Sequence, residues 1–182
     1  GIAIPFSIQR QFLETSPQIQ QAIGKLKMAL ELNAHEIDSL CISLQNLILK
    51  TRIPDSIREQ VDAMMIQEMS GVSRFVVRSS SNAEDLENFS AAGIYESING
   101  ITSAEKIFEA IKKVWSSLVS ARSVRLRQQS GISLDQSYMG VIIQEEIPSN
   151  MGGVMVTTNP IDKKDFRNSY INVSLKSVVH IV

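Results

Sequence analysis

The hydrophobic period of the chain changes near Gly71, and this change constrains the fold more than any other feature. Before it, apolar residues recur at helical spacing, and Ser16-Pro17 and Pro54-Asp55 are helix-start signals. The predicted helices cover residues 16–32, 35–49 and 54–69. After Gly71, short segments rich in β-forming residues predict strands. The sequence therefore predicts an α+β protein with a mainly helical lobe over residues 1–70 and a sheet-containing lobe over residues 71–182.

The predicted strands of the second lobe are short, and we expect a mostly antiparallel sheet. They cover residues 74–78, 138–145, 153–157, 169–174 and 178–182. The linker 148–152 suits a hairpin. We therefore expect 74–78, 138–145 and 153–157 to belong to one sheet, with a polar loop over residues 79–93.

One long amphipathic helix is predicted beside this sheet. Thr102 and Glu105 resemble a capping box that starts it. The segment 105–118 should pack on the sheet and bury Trp115, and the helical pattern continues to about Gln129.

Composition excludes several classes of function. The 182 residues are 43% apolar and carry a net charge of −1, which favours a packed core and gives no overall field for nucleic acid. No apolar run is long enough to cross a membrane. The single cysteine, Cys41, fits a reducing cytoplasm. The chain starts without an initiator methionine and ends in the apolar segment 178–182, so we expect a part of a longer polypeptide.

The common catalytic motifs do not occur. Neither a G-x-x-x-x-G-K-[ST] loop nor a G-x-G-x-x-G loop is present, and cysteine and histidine are too far apart to predict a zinc site. His35 is expected on a helix surface, His180 in an apolar strand, and Cys41 as a buried, inert thiol.

The segment after the first predicted strand carries the most chemical information. Arg78 ends that strand and enters a loop of small hydroxyl and amide residues, 79–83. A guanidinium beside hydroxyls and backbone N–H groups suits a polyphosphate. The alternative is a turn in which Arg78 pairs with Glu84 or Asp85. The residues alone favour this turn over the polyphosphate site.

Four blocks in order extend this segment. They are R-S-S-S-N-A-E-D-L at 78–86 with F-S-A-A-G-I-Y-E-S at 89–97, V-W-S-S-L at 114–118 with A-R at 121–122, V-I-I-Q-E at 141–145, and G-G-V-M-V-T-T-N-P at 152–160. G-I-A-I-P at 1–5 precedes them. Together they resemble the N-terminal nucleotide-binding domain of phosphoenolpyruvate synthase, pyruvate phosphate dikinase, glucan water dikinases and rifampicin phosphotransferase.

The resemblance implies an ATP-grasp-like fold that binds MgATP. Family members pass the β-phosphoryl group of ATP to a histidine on a separate, downstream domain of the same polypeptide. The γ-phosphate goes to water or to phosphate, and a further domain or surface supplies the final acceptor.

The resemblance also implies roles for individual residues of this chain. Arg78 would grip the phosphates, and Gly93 would let the loop backbone approach the nucleotide. Ser97 corresponds to a small hydroxyl near the phosphates, and Gln144 contacts the adenine side. The backbone at Glu145 and at Ile147 would line the same cleft.

The chain departs from the family pattern in places. The phosphate-binding lysine of the family would precede residue 1, and the acidic Mg²⁺ ligands would follow residue 182. The usual G-L-G-E after the last strand is replaced by L-K-S-V-V at 175–179. We therefore expect the 182 residues alone to lack useful phosphotransfer. The alternative function is a nucleotide-sensing or interaction module that has lost catalysis.

Overall fold

The computed structural model describes residues 1–83, 93–159, 161–162, 164–165 and 167–175, with 85–86 and 89–90 described as backbone. The chain divides into two compact units, Gly1–Glu146 and Ile147–Val182. The first unit holds both the predicted helical front and the first predicted strands of the sheet. The division into lobes at residue 70 stays a prediction.

The first unit consists of helices and short strands that follow one another in runs. In chain order its elements are β1 (Ile2–Ile4), α1 (Phe6–Glu14), α2 (Pro17–Glu31), α3 (Ile37–Lys50), α4 (Asp55–Glu68), β2 (Phe75–Ser81), β3 (Asp85–Leu86), β4 (Phe89–Ser90), β5 (Ser97–Ile101), α5 (Ala104–Ser117), α6 (Ala121–Gln129) and β6 (Met139–Glu145). The mixture of helices and antiparallel strands agrees with the predicted α+β class.

A four-stranded antiparallel sheet with the order β1-β6-β2-β5 forms the centre of this unit. β6 is paired on both edges, with Ile4 opposite Val141 on one side and Val77 opposite Ile143 on the other. β2 continues to Ser81, so the loop predicted over 79–93 begins later than expected and contains the short pair β3–β4. Neither β1 nor β5 was predicted from the sequence.

Serine side chains cap several of the helices. Ser16 accepts a hydrogen bond from the Ile19 backbone N–H at 3.4 Å, with Pro17 in the first turn, which confirms the predicted start of α2. The capping box predicted at Thr102 is wrong by one residue. Ser103 is the cap of α5, and its hydroxyl accepts from the Lys106 N–H at 3.4 Å.

The helical pattern that was expected to reach Gln129 is broken into α5 and α6. Ser120 has an extended backbone and caps α6 by accepting from the Ser123 N–H at 3.2 Å. The side chain of Arg127 reaches back to this break and donates to the carbonyls of Leu118 and Ser123. Arg127 is 2% exposed, and burial lowers the pKa of its guanidinium. The break is therefore held by side chains that a periodicity argument does not consider.

The core lies between the sheet and α5. Val77, Val141 and Ile143 face it from the strands, and all are fully or almost fully buried. Trp115 of α5 is 1% exposed and stacks on Phe12 with ring centroids 5.0 Å apart. The predicted burial of Trp115 and the packing of its helix on the sheet are confirmed.

The second unit has a sheet of its own. β7 (Gly152–Val156) pairs antiparallel with β8 (Tyr170–Ser174), so two further predicted strands are present. The expectation that 153–157 joins the sheet of β2 and β6 is wrong. Both edges of β6 are already occupied by β1 and β2, which leaves no edge for a hairpin partner. The strand predicted at 178–182 and the expected strand position of His180 lie outside the described residues.

Gly140 lies where β6 is closely surrounded by β1, β2 and the Phe6 ring. A Cβ at this position would lie 3.1 Å from the Ile4 carbonyl oxygen, 3.2 Å from the Ser80 carbonyl oxygen and 3.2 Å from Cε1 of Phe6. We predict that Gly140→Ala lowers the free energy of unfolding by about 1–3 kcal/mol, because two of these three atoms are backbone. Urea denaturation followed by circular dichroism measures the change.

Gly24 provides the matched control for this substitution. It lies inside α2, and a Cβ there meets nothing within 4 Å. Gly24→Ala should therefore raise the unfolding free energy by about 0.5–1 kcal/mol, since it limits only the unfolded chain and favours the helix. Equal effects of the two substitutions would contradict the close packing at Gly140.

The reactivity of the Cys41 thiol reports whether the core of the helical part is closed to solvent. Its side chain is fully buried, and desolvation together with the charge of Asp38 raises the pKa of the thiol to about 11. We predict that a disulfide reagent at pH 8 does not react with the native protein and reacts with one thiol after urea denaturation. Rapid reaction of the native protein would show that this part of the core opens easily.

Candidate functional site

The four-stranded sheet has one face that does not pack on α5, and we call it the outer face. It is defined by Ala3, Val76, Arg78, Ser80, Ser97, Gly140, Ile142 and Gln144. These residues alternate along their strands with those that project from the opposite face, which packs on α5. In an antiparallel pair, residues that lie directly opposite each other project from the same face. The register therefore decides which predicted site residues share this surface.

Three of the predicted site residues share the outer face. Arg78 lies opposite Ser97 of β5, and it lies opposite Ile142 on its other side. Gln144 is two residues further along β6, opposite Val76. Arg78, Ser97 and Gln144 are all exposed. Residues 78, 97 and 144 are far apart in the sequence, so this grouping depends on strand pairing alone.

Arg78 lies in the middle of β2, and the prediction that it ends a strand is wrong. The strand continues for three more residues because Ser79, Ser80 and Ser81 pair in register with Val141, Gly140 and Met139. The side chain of Arg78 thus rises from the face of the sheet rather than from its rim. No described residue forms a hydrogen bond or an ion pair with its guanidinium.

The other arginines of the first unit give a useful contrast. Four of them pair with carboxylates: Arg52 with Asp55, Arg58 with Glu105, Arg74 with Glu146 and Arg125 with Asp38. These pairs lower the pKa of Asp38 and of Glu105. The proposed alternative partners of Arg78, the side chains of Glu84 and Asp85, lie outside the described part of the chain. The surface available to an anion at Arg78 is therefore the exposed sheet face beside Ser97.

The start of the loop after β2 is held by internal hydrogen bonds. Ser81 Oγ donates to the Tyr138 carbonyl at 3.1 Å and accepts from the Ala83 N–H at 3.1 Å. The Asn82 side chain accepts from the Tyr138 N–H at 2.7 Å and donates to the Gln136 carbonyl at 2.8 Å. These hydrogen bonds fasten the loop to the segment before β6. The phosphate-binding role that the loop composition suggested stays a prediction.

Gly93 lies in a turn before β5. Its φ of 70° is in the left-handed region that glycine occupies without strain. The glycine is therefore required by the backbone itself. The approach to a nucleotide that the resemblance implied for it stays a prediction.

Of the two remaining predicted residues, Glu145 projects from the opposite face of the sheet and Ile147 belongs to the second unit. Glu145 is the last residue of β6 and lies opposite Phe75, so its side chain projects from the other side of the sheet from Gln144. Ile147 belongs to the second unit, where it is 79% exposed. Only the backbone roles predicted for these two positions remain to be tested.

An aromatic and cationic cluster at one end of the outer face was missed by the sequence analysis. Phe6 covers Gly140, and its ring lies 6.1 Å from the ring of Tyr138. The guanidinium carbon of Arg10 lies 4.9 Å from the Tyr138 ring centroid. The available signal was the i, i+4 spacing of Phe6 and Arg10, which places both on one side of α1.

Glu146 fastens the other end of the sheet. Its carboxylate accepts a hydrogen bond from the Gly100 backbone N–H at 2.7 Å and pairs with Arg74 at 3.4 Å. Its backbone N–H donates to the Arg74 carbonyl at 2.9 Å. The sheet is thus held at both ends by contacts between segments that are distant in the sequence.

In the described part of the chain, neither a metal site nor a cavity coincides with the predicted site residues. Among the described residues, no three histidine, cysteine or acidic side chains come together in a way that could hold a metal ion. A cavity of about 290 Å³ lies beside α2 and α6 and is lined by Leu30, Val124 and Ile132 among others. It contains none of the predicted site residues. Within the described residues, no helix has the length and apolar character needed to cross a bilayer.

Comparisons with known proteins point to one family. Residues 1–176 match the pyruvate phosphate dikinase, AMP/ATP-binding domain family. A rifampicin phosphotransferase of Bacillus subtilis is 29% identical over 82% of this chain and 17% of its own length. A probable phosphoenolpyruvate synthase of Methanothermobacter thermautotrophicus is 26% identical over 91% of this chain and 25% of its own length. The phosphoenolpyruvate synthase of Pyrococcus furiosus is 31% identical over 65% of this chain and 15% of its own length.

The matched region is thus a quarter or less of each of these relatives. The order of the motif blocks, the exposed arginine on the sheet and the match over residues 1–176 agree with each other. The chain belongs to the pyruvate phosphate dikinase AMP/ATP-binding domain family.

Proposed function

We propose that the outer face of the sheet is the ATP-binding surface of a dikinase-type phosphotransferase. The observation that carries this proposal is the strand register, which groups Arg78, Ser97 and Gln144 on one exposed face. Arg78 supplies a permanent positive charge with a planar donor fork that can hold two phosphate oxygens. Ser97 adds a hydroxyl directly across the strand pair, and Gln144 adds an amide toward the end where the base would lie.

The electrostatics of the first unit support the same assignment. Carboxylates neutralise Arg52, Arg58, Arg74 and Arg125, whereas the described residues supply none to Arg78. A polyphosphate would fill this position with charge-assisted hydrogen bonds, each contributing about 1.5–3 kcal/mol. The described acidic side chains form no cluster that could bind Mg²⁺ by themselves.

The complete reaction requires more than these residues. In the proposed transfer, a histidine nitrogen on a separate domain attacks the β-phosphorus, the bond to the α-phosphate breaks, and AMP leaves. The γ-phosphate is released to water or to phosphate. An ATP-grasp-like arrangement and a cytoplasmic location belong to this proposal, as do nucleotide contacts from Gly93 and from the backbone at Glu145. Catalysis of this type depends mostly on positioning and charge.

Arg78→Lys and Arg78→Ala test the proposal in the full-length protein. Lysine keeps the charge but loses the planar fork. We predict that either substitution weakens ATP binding by about 1.5–3 kcal/mol, roughly tenfold to a hundredfold or slightly more. The melting temperature without nucleotide should hardly change, since an exposed ion pair contributes only about 0–1 kcal/mol. Calorimetric titration and thermal melting provide the two measurements.

Arg52→Ala is the matched control, because Arg52 is exposed and pairs with Asp55 at 2.7 Å. It should leave ATP affinity unchanged. Pairing of Arg78 with Glu84 or Asp85 predicts the opposite pattern for the Arg78 variants, with intact ATP binding and any loss in stability. ATP binding without phosphotransfer in the full-length protein would favour the alternative of a nucleotide-sensing module.

A further inference from the structure

Arg10 has the features of a second anion-binding residue of the outer face. It is exposed on α1, and its guanidinium is held over the Tyr138 ring at 4.9 Å. No carboxylate among the described residues pairs with it. In its exposure and in the lack of a described carboxylate partner, Arg10 resembles Arg78 and Arg122 and differs from the four arginines of this unit that form ion pairs.

A series of contacts places Arg10 on the same side of the sheet as Arg78. Gly140 lies opposite Ser80, so its missing side chain would project from the outer face. The ring of Phe6 occupies that position, with Cε1 3.2 Å from where a Cβ would lie. Tyr138 lies beside Phe6, and Arg10 lies on Tyr138. The cluster therefore covers the end of the outer face near Ser80 and Asn82.

Tyr138 is a firm support for this cation. Its backbone N–H donates to Asn82 Oδ1 at 2.7 Å, and its carbonyl accepts from Ser81 Oγ at 3.1 Å. An arginine held on an aromatic ring loses less side-chain freedom when it binds a ligand. The position is thus preorganised, which an ordinary surface arginine is not.

The order of residues along β6 indicates which part of a ligand Arg10 would meet. Gln144 lies at one end, Ile142 opposite Arg78 in the middle, and Tyr138 just beyond the other end. Ile142 and Tyr138 are four residues apart, roughly 13 Å along an extended strand. Tyr138 therefore lies on the side of Arg78 away from Gln144, and a polyphosphate that extends from Arg78 in that direction would approach the Arg10 guanidinium on the Tyr138 ring.

We propose that Arg10 binds the terminal phosphate of the nucleotide, at the end of the outer face opposite Gln144. This inference rests on the proposed function, because it assumes that the base lies near Gln144 and the polyphosphate near Arg78. Its specific consequence is that Arg10 distinguishes ATP from ADP and AMP. Arg78 contributes to the binding of every nucleotide that carries a polyphosphate.

Calorimetric titration of the full-length protein with ATP, ADP and AMP tests this assignment. Arg10→Ala should weaken ATP binding by about tenfold to a hundredfold, as expected for the loss of one charge-assisted contact. It should leave AMP binding unchanged and ADP binding nearly so. Arg10→Lys should recover only part of the loss, since lysine keeps the charge without the fork. Arg125→Ala, which removes an arginine paired with Asp38, serves as the control and should change none of the three affinities.

Two variants of Tyr138 test the support separately. Tyr138→Phe keeps the ring and should bind ATP like the unmodified protein. Tyr138→Leu removes it and should show a selective but smaller loss of ATP affinity than Arg10→Ala. Equal losses for ATP, ADP and AMP in Arg10→Ala, or no loss, would overturn the assignment of Arg10 while leaving the role of Arg78 intact. If Arg78→Ala also leaves all three affinities unchanged, the outer face is not the nucleotide site, and both proposals fail.

Discussion

The pairing of β6 on both of its edges is the constraint on which the rest of the first unit depends. One edge binds β1 and the other binds β2, so a strand from residues 139–145 joins the start of the chain to its middle. The same strand supplies Val141 and Ile143 to the core and presents Gln144 to the opposite face. The same strand pairings therefore determine both the packing of the core and the arrangement of the candidate site residues.

The packing of the buried face fixes the register of the strands, and the register fixes which residues share the exposed face. A shift of one residue between β2 and β6 would exchange the two faces of β2 and bring Arg78 into the core. Burial of a charge without a partner is costly, as is exposure of Val77, so the hydrophobic pattern fixes the site geometry. A polar surface whose arrangement is maintained by a packed core can remain exposed and still be precise.

The sequence predicted those features that depend on local patterns, and it failed where a distant contact decides. The start of α2 follows from its capping residue Ser16 and the start of α4 from the Pro54-Asp55 signal. The burial of Trp115 follows from the helical periodicity. The break between α5 and α6 depends on Arg127, which binds a carbonyl nine residues away. The three-residue strand β1 is too short to show a period and forms only because β6 offers an edge. Motif resemblance indicated the site residues, but only strand register could group them.

The central claim is that one exposed sheet face binds the nucleotide. A crystal structure of the full-length protein with a non-hydrolysable ATP analogue tests it most directly. The account predicts phosphate oxygens within hydrogen-bonding distance of the Arg78 guanidinium and the base toward Gln144. A nucleotide bound elsewhere, for example in the cavity beside α2 and α6, with nothing on the outer face, would contradict it.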